Sequence, residues 1–258
     1  MTDAVQALAA ALAAGQVEVV DLTQPLSEET PTLPLPKPFA NTPKFRLREL
    51  SRYDERGPAW YWNAFEGGEH TGTHLDAPIH WASGRELEDV SQVPPERLIG
   101  PAAVIDHTDR AAADPDYLLT VEDVEAFEAA HGRLPDRGWL LYRTGWGARA
   151  HDEAAFLNAD ESGPHTPGVD AACARWLATE RDLLGFGVET VGIDAGAAHG
   201  FDPPFPLHAF LLGAGRCGLT QLANLDRLPP TGSLVIAAPL KIVGGSGSPV
   251  RVLALVPR

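Results

Sequence analysis

The chain is poor in the residues that mark several protein classes. Of its 258 residues only two are cysteine and one is methionine. Cys173 and Cys217 stand far apart and form no C-x-x-C pair. That excludes a disulfide framework and a zinc ribbon, and it fits reduced thiols of a cytoplasmic protein. Positive charge is equally scarce: 20 Lys and Arg stand against 35 Asp and Glu, a formal net charge of −15. No basic run exists to neutralise phosphates, so neither nucleic acid nor an anionic membrane surface is an expected partner. No stretch of about 18 apolar residues occurs, so no transmembrane helix is expected. The segment from Met1 to Gly15 is Ala-rich but carries Asp3 and no Lys or Arg. It lacks the pattern of a secretory leader and reads as an amphipathic helix. H-E-x-x-H, P-loop and G-x-S-x-G motifs are all absent.

What remains is a globular composition, with 44% hydrophobic and 21% charged residues. The length is ample for a hydrophobic core without a metal or disulfide staple, so a metal found here would serve chemistry. Residues 3–14 are expected to be helical, ending at Gly15. Thr120-Val-Glu-Asp123 reads as a capping box opening a helix to about Ala130, and a further helix is expected over 169–179. Strands are expected over 17–22, 45–50, 60–65, 102–105, 139–142, 190–193, 233–237 and 250–256. Pro25, Pro31, Pro34, Pro36 and Pro38 keep their segment extended and out of a central strand. This proline-rich loop is either a lid, from this chain or a partner, or a surface connector. Helices alternate with strands without a break in composition, which predicts one α/β domain over residues 1–258.

One segment carries the chemistry. Gly68-Glu69-His70-Thr71-Gly72-Thr73-His74-Leu75-Asp76-Ala77-Pro78-Ile79-His80-Trp81 places three of nine histidines and an aspartate within eleven residues. Thr71, Gly72, Thr73 and Pro78 disfavour a helix. In an unbroken strand the even positions His70, Gly72, His74, Asp76 and His80 would share one face. Imidazoles and a carboxylate converging there point to a first-row metal.

This run, H-T-G-T-H-L-D-A-P-I-H, resembles the H-x-G-T-H-x-D-x-P-x-H signature of the metal-dependent cyclase family, which contains bacterial kynurenine formamidases and isatin hydrolases. Other segments look closest to the isatin hydrolase branch. They include Tyr53–Trp62, Arg143-Thr-Gly-Trp146, Phe156–Glu161, Pro203–His208, Leu222–Pro229 and Ala237–Lys241. The resemblance implies the family's swivelling β/α/β fold, a mixed β core flanked by helices, in a homodimer or larger oligomer. It implies His70, His74 and Asp76 as metal ligands and His80 as the catalytic acid/base, titrating close to neutral pH. The dinuclear members add a distal His and, twelve residues later, a Glu. His208 matches that His, but Thr220 and Gln221 stand where the Glu would be. One metal per chain follows, Mn(II) as in the isatin hydrolase branch, with Zn(II) as the alternative.

The expected activity is hydrolysis of a small aromatic cyclic amide, isatin-like lactam to isatinate. Its alternatives are an arylformamidase acting on N-formylkynurenine, a secondary-metabolism cyclase, and a metal-bound protein without catalysis. His208, Thr220 and Gln221 are candidates for contact with the substrate or with the ligands. Trp60, Trp62 and Trp81 bracket the motif and are candidates for a wall against a flat substrate; core packing is the alternative role. The run Gly213-Ala-Gly-Arg-Cys-Gly218 fits G-x-G-x-x-G but lacks the following βαβ unit, so no dinucleotide is expected.

Overall fold

A computed structural model describes residues 3–258; Met1 and Thr2, part of the N-terminal segment read above, lie outside the described residues. In chain order come α1 (Ala4–Ala13), β1 (Val17–Asp21), β2 (Arg46–Asp54), β3 (Gly57–Glu66), β4 (His74–Asp76) and β5 (Ile99–Asp106). Then follow α2 (Thr108–Ala113), β6 (Leu118–Leu119), α3 (Val121–His131), β7 (Gly138–Arg143), α4 (Glu153–Leu157), β8 (Ala159–Asp160), β9 (Gly163–Pro164) and β10 (Gly168–Val169). The chain ends with α5 (Ala171–Glu180), β11 (Leu183–Val188), β12 (Cys217–Thr220), β13 (Thr231–Pro239) and β14 (Gly247–Pro257).

Seven strands close into a mixed barrel in the order β14-β13-β5-β7-β11-β12-β4, and β4 returns to pair with β14. β1 adds to the outer edge of β14. β5, β7, β11 and β12 run parallel, joined by crossovers that carry the helices and loops. Alternation along these strands divides two cores. Ala102, Val104, Trp139, Leu141 and Leu184 pack in one cluster with Leu75, Leu219 and Val235. Their neighbours Ala103, Ile105, Leu140, Tyr142 and Phe186 pack in a second, with Val124, Cys173 and Leu177 of α3 and α5. A mixed β core flanked by helices is the architecture expected.

Local chemistry accounts for the element ends. Thr120 Oγ1 accepts from Asp123 N while Asp123 Oδ2 accepts from Thr120 N, the reciprocal cap anticipated for α3. Asp170 caps α5 through Cys173 N, so this helix starts at Ala171 and not at Val169. The strand expected over 190–193 is not one: these residues are a series of bends, and the strand is β11, ending at Val188. Gly185 and Gly187 interrupt the apolar run there and hide it. The glycine is demanded by packing, since a Cβ on Gly185 would sit 2.2 Å from the Cys217 carbonyl oxygen and 2.4 Å from the Trp139 ring. Gly185→Ala should therefore lower unfolding stability by about 1–3 kcal/mol, read as a fall in the urea midpoint at unchanged slope.

Candidate metal centre

The motif does not fold as one strand. Only His74–Asp76 is extended; Gly72 turns with φ +65°, and Pro78–His80 forms a 3-10 turn. The positive φ is the left-handed region that glycine enters without cost. The expectation of one continuous even-numbered face is thereby corrected: the groups meet because the chain folds back at Gly72. Leu75 points into the barrel core, so His74 and Asp76 emerge together on the other face.

His70, His74 and Asp76 bring one donor atom each to within 4.8 Å of one another. His70 Nδ1 lies 2.7 Å and His74 Nε2 3.3 Å from Asp76 Oδ1. His74 Nδ1 donates to Gly72 O at 2.7 Å, so Nε2 is the nitrogen that faces Asp76. Burial opposes ionisation of Asp76, yet His74 and His70 beside it hold the carboxyl well below its usual range. Two imidazole nitrogens and an ionised carboxylate converging on one point form a donor set suited to a divalent cation, which would replace the protons the rings share with the carboxylate. The chemistry of the residues fits the group.

His80 stacks on His70, with ring centroids 3.8 Å apart and planes at 27°. Burial pushes His80 down to about 4, with His70, His208 and His74 adding to the effect and Asp76 opposing it. The expected near-neutral titration is corrected accordingly: without an ion the ring is neutral at pH 7. His208 sits on a single π-helical turn, His208–Leu212, in the long connection after β11. Its ring is 5.5 Å from His80 and 4.6 Å from Trp81. Buried Asp194 accepts from His208 Nδ1 at 2.5 Å and from the main-chain N–H groups of Leu207 and His208. Trp81 also meets Phe205, at 5.5 Å between centroids.

The remaining predicted residues divide. Thr220 Oγ1 lies 2.9 Å from His74 Nδ1, against the cluster. Gln221 is buried with its Nε2 on Pro31 O at 3.4 Å, while its carbonyl accepts from Thr73 Oγ1 at 2.7 Å. It steadies the loops around the motif without bonding to the cluster. Trp60 and Trp62 stand on the β2–β3 hairpin, 48% and 56% exposed, and meet one another edge to face, away from the site. Asp194 and Ser246, whose Oγ lies 2.8 Å from His70 Nε2, were not foreseen from sequence. Neither stands near the motif in the chain; the run Gly244-Gly-Ser-Gly-Ser248 was the only local sign of a close approach. A cavity of about 660 Å³ is lined by Glu69, Thr71 and Thr73 and by none of the three clustered donors.

This barrel with its His-His-Asp cluster defines a metal-dependent hydrolase of the cyclase type. The family model "Putative cyclase" matches residues 20–195, and the chain belongs to that family. It is 49% identical over 258 residues to an isatin hydrolase of Roseibium aggregatum, covering 99% of this chain and 98% of the relative. The solved structure of isatin hydrolase A from Ralstonia solanacearum superimposes with a TM-score of 0.97 at 50% identity, covering 99% of this chain and 98% of that one. A kynurenine formamidase of Salinibacter ruber is 31% identical over 188 residues, covering 70% of this chain and 74% of the relative.

The depressed His80 makes a pH prediction. The unfolded ring binds a proton near 6.5 and the folded ring near 4, so between these values the unfolded state holds more protons. The stability of metal-free protein should be full above pH 6.5 and fall as pH drops toward 4. Histidine NMR should place the His80 midpoint near 4, and His80→Gln should flatten this part of the stability profile. A midpoint near 6.5 in chelator-treated protein contradicts it.

Proposed function

We propose that the chain is a metal-dependent amidohydrolase that opens a flat cyclic amide of the isatin type to the aminoaryl keto acid. The observation that carries this reading is a neutral, half-buried His80 stacked on one member of a His-His-Asp cluster. The isatin hydrolase relatives support the substrate class. We take His70, His74 and Asp76 as the ligands of one divalent ion per chain. Mn(II) suits two imidazoles and a carboxylate, and Zn(II) is the alternative. Thr220 stands twelve residues after His208 and brings a hydroxyl, not a carboxylate, to the cluster. Two dications would then share Asp76 as their one carboxylate, too little charge to hold both.

An ion bound there polarises the amide carbonyl and lowers the pKa of a water. The residues of the chain do the rest. His80, neutral at pH 7, accepts the proton of the attacking water at a ring nitrogen. It returns that proton to the lactam nitrogen as the C–N bond breaks. Asp194 accepts from His208 Nδ1 and fixes the ring so that its Nε2 edge is turned to the carbonyl oxygen on which negative charge grows. Trp81 walls the space beside His208 and excludes water from the flat ring of the substrate.

The β2–β3 ribbon supports a homodimer. Trp60, Tyr61, Trp62 and Phe65 are exposed on it, and a lone two-stranded ribbon is marginal in water. A second copy covers it in this reading, and the aromatic pair serves the interface. One cyclase-like domain in a reducing cytoplasm completes the picture, in keeping with two buried free thiols. No helix among the described residues is long and apolar enough to cross a membrane.

Three experiments test these statements. Purified protein should hold one Mn or Zn per chain by elemental analysis and hydrolyse isatin faster than N-formylkynurenine. Two tightly held ions, or the reverse preference, would sink the reading. His80→Ala should keep its metal and lose about 10²–10⁴-fold in kcat. The double variant Trp60→Ser/Trp62→Ser should shift the mass by light scattering from dimer toward monomer, and an unchanged mass removes the ribbon from the interface.

A further inference from the structure

Each metal-binding histidine must offer an unprotonated nitrogen to the ion, so something must hold the proton on the other one. For His74 the Gly72 carbonyl does this. For His70 the partner is a hydroxyl, which can either donate or accept, and its own surroundings decide which. Ser246 Oγ lies 2.8 Å from His70 Nε2. The same hydroxyl donates to Glu69 Oε2 at 2.7 Å, and Ser246 N–H donates to that oxygen at 3.0 Å. A serine hydroxyl has one proton, and here the carboxylate takes it. Only lone pairs remain for His70, so Nε2 must carry a hydrogen, and an ion would displace only the proton that Nδ1 donates to Asp76 Oδ1, 2.7 Å away.

We infer that Glu69 and Ser246 form a positioning relay that fixes the tautomer and ring plane of His70, aiming its Nδ1 lone pair at the ion. This rests on the proposed assignment of His70 as a ligand. Neither residue touches the ion or the substrate; both act through His70.

The backbone is shaped for the relay. A Cβ on Gly247 would lie 2.6 Å from His70 Cε1, and one on Gly245 would lie 2.8 Å from Glu69 Oε1. Glycine on both sides of Ser246 lets the segment press against both partners. Ala77 N–H on Ser246 O at 3.0 Å and Val90 N–H on Gly245 O at 2.9 Å anchor it from the far side. Because His80 stacks on His70, the ring plane set by Ser246 also sets the position of His80.

The test uses metal-free, Mn(II)-loaded and Zn(II)-loaded full-length protein. Wild type, Ser246→Ala and Glu69→Ala are compared by Mn(II) titration with EPR and by ¹⁵N NMR of the His70 imidazole with diamagnetic Zn(II) bound. Wild type should show a single Nε2–H tautomer. Ser246→Ala should weaken Mn(II) binding about 10–100-fold and give mixed tautomers. Glu69→Ala removes the acceptor of the hydroxyl proton, frees it for Nε2 and should push His70 toward Nδ1–H, again weakening the metal. Melting of each metal-free variant identifies any that has lost its fold, and the other variant then decides. A wild type that binds no Mn(II) or Zn(II) sinks the metal-hydrolase reading itself. A wild type that binds metal, with folded variants whose affinity or tautomer is unchanged, overturns the relay alone. The tautomer is the decisive readout, because a merely structural serine could weaken binding without moving the proton.

Discussion

The arrangement turns on one short pairing: His74–Asp76 against Gly247–Pro249. Three residue pairs close the barrel between its fourth and last strands, and the same three fix the metal motif. Gly247 stands opposite Asp76, which brings Ser246 to His70. On its other side β4 pairs with β12, placing Thr220 opposite His74 and Gly218 opposite Asp76. With strands on both flanks, the main-chain groups of His74–Asp76 are satisfied without water. A buried aspartate can then sit there only because its side chain finds ring nitrogens in the space left by Gly218 and Gly247. A Cβ on Gly218 would approach Asp76 Oδ2 to 2.9 Å. Barrel closure and the centre are therefore one piece of geometry, and neither can be rebuilt without the other.

Burial has opposite effects on the two kinds of group gathered there. It disfavours both the charged carboxylate and the charged imidazole. Asp76 nonetheless stays ionised, because two rings adjoin it; His80, one ring further away, is driven neutral. The result is a gradient across a few ångströms, with anion and cation chemistry at Asp76 and an uncharged base beside it. In the proposed mechanism a ring already neutral at pH 7 needs no deprotonation before it can accept a proton.

Much of this was legible in the sequence, and the failures have physical causes. The spacing of His70, His74, Asp76 and His80 picked out side chains that the structure brings together. Strand periodicity gave the wrong reason for their convergence, because alternation cannot register a chain that reverses at a positive-φ glycine. Apolar runs such as Ala102–Ile105 and Trp139–Tyr142 revealed the central strands. Leu183–Val188 escaped because its two glycines, required by Trp139 and Leu141 opposite them, look like turn residues when read alone. Asp194 and Ser246 were invisible for a different reason. Ser246 lies 176 positions from the histidine it contacts, and nothing local in either segment announces the other. The capping box of α3 was legible because both its halves lie within four residues.

Charge gives the last constraint. The excess of acid in the chain suggests abundant ligands for cations, yet the centre draws on a single buried carboxylate. Glu69, adjacent to His70, is held one hydroxyl away, with Ser246 taking its oxygen. Thr220 brings a neutral hydroxyl to His74 where a second carboxylate would bridge two ions. In the proposed reading, one dication against one carboxylate would leave the site net positive within an acidic molecule. Such a site attracts the carbonyl oxygen of a neutral amide and strengthens its hold as that oxygen gains charge. The surrounding negative field then works against retention of the carboxylate product. The shortage of carboxylates at the centre and their surplus elsewhere thus act on the same reaction from its two ends.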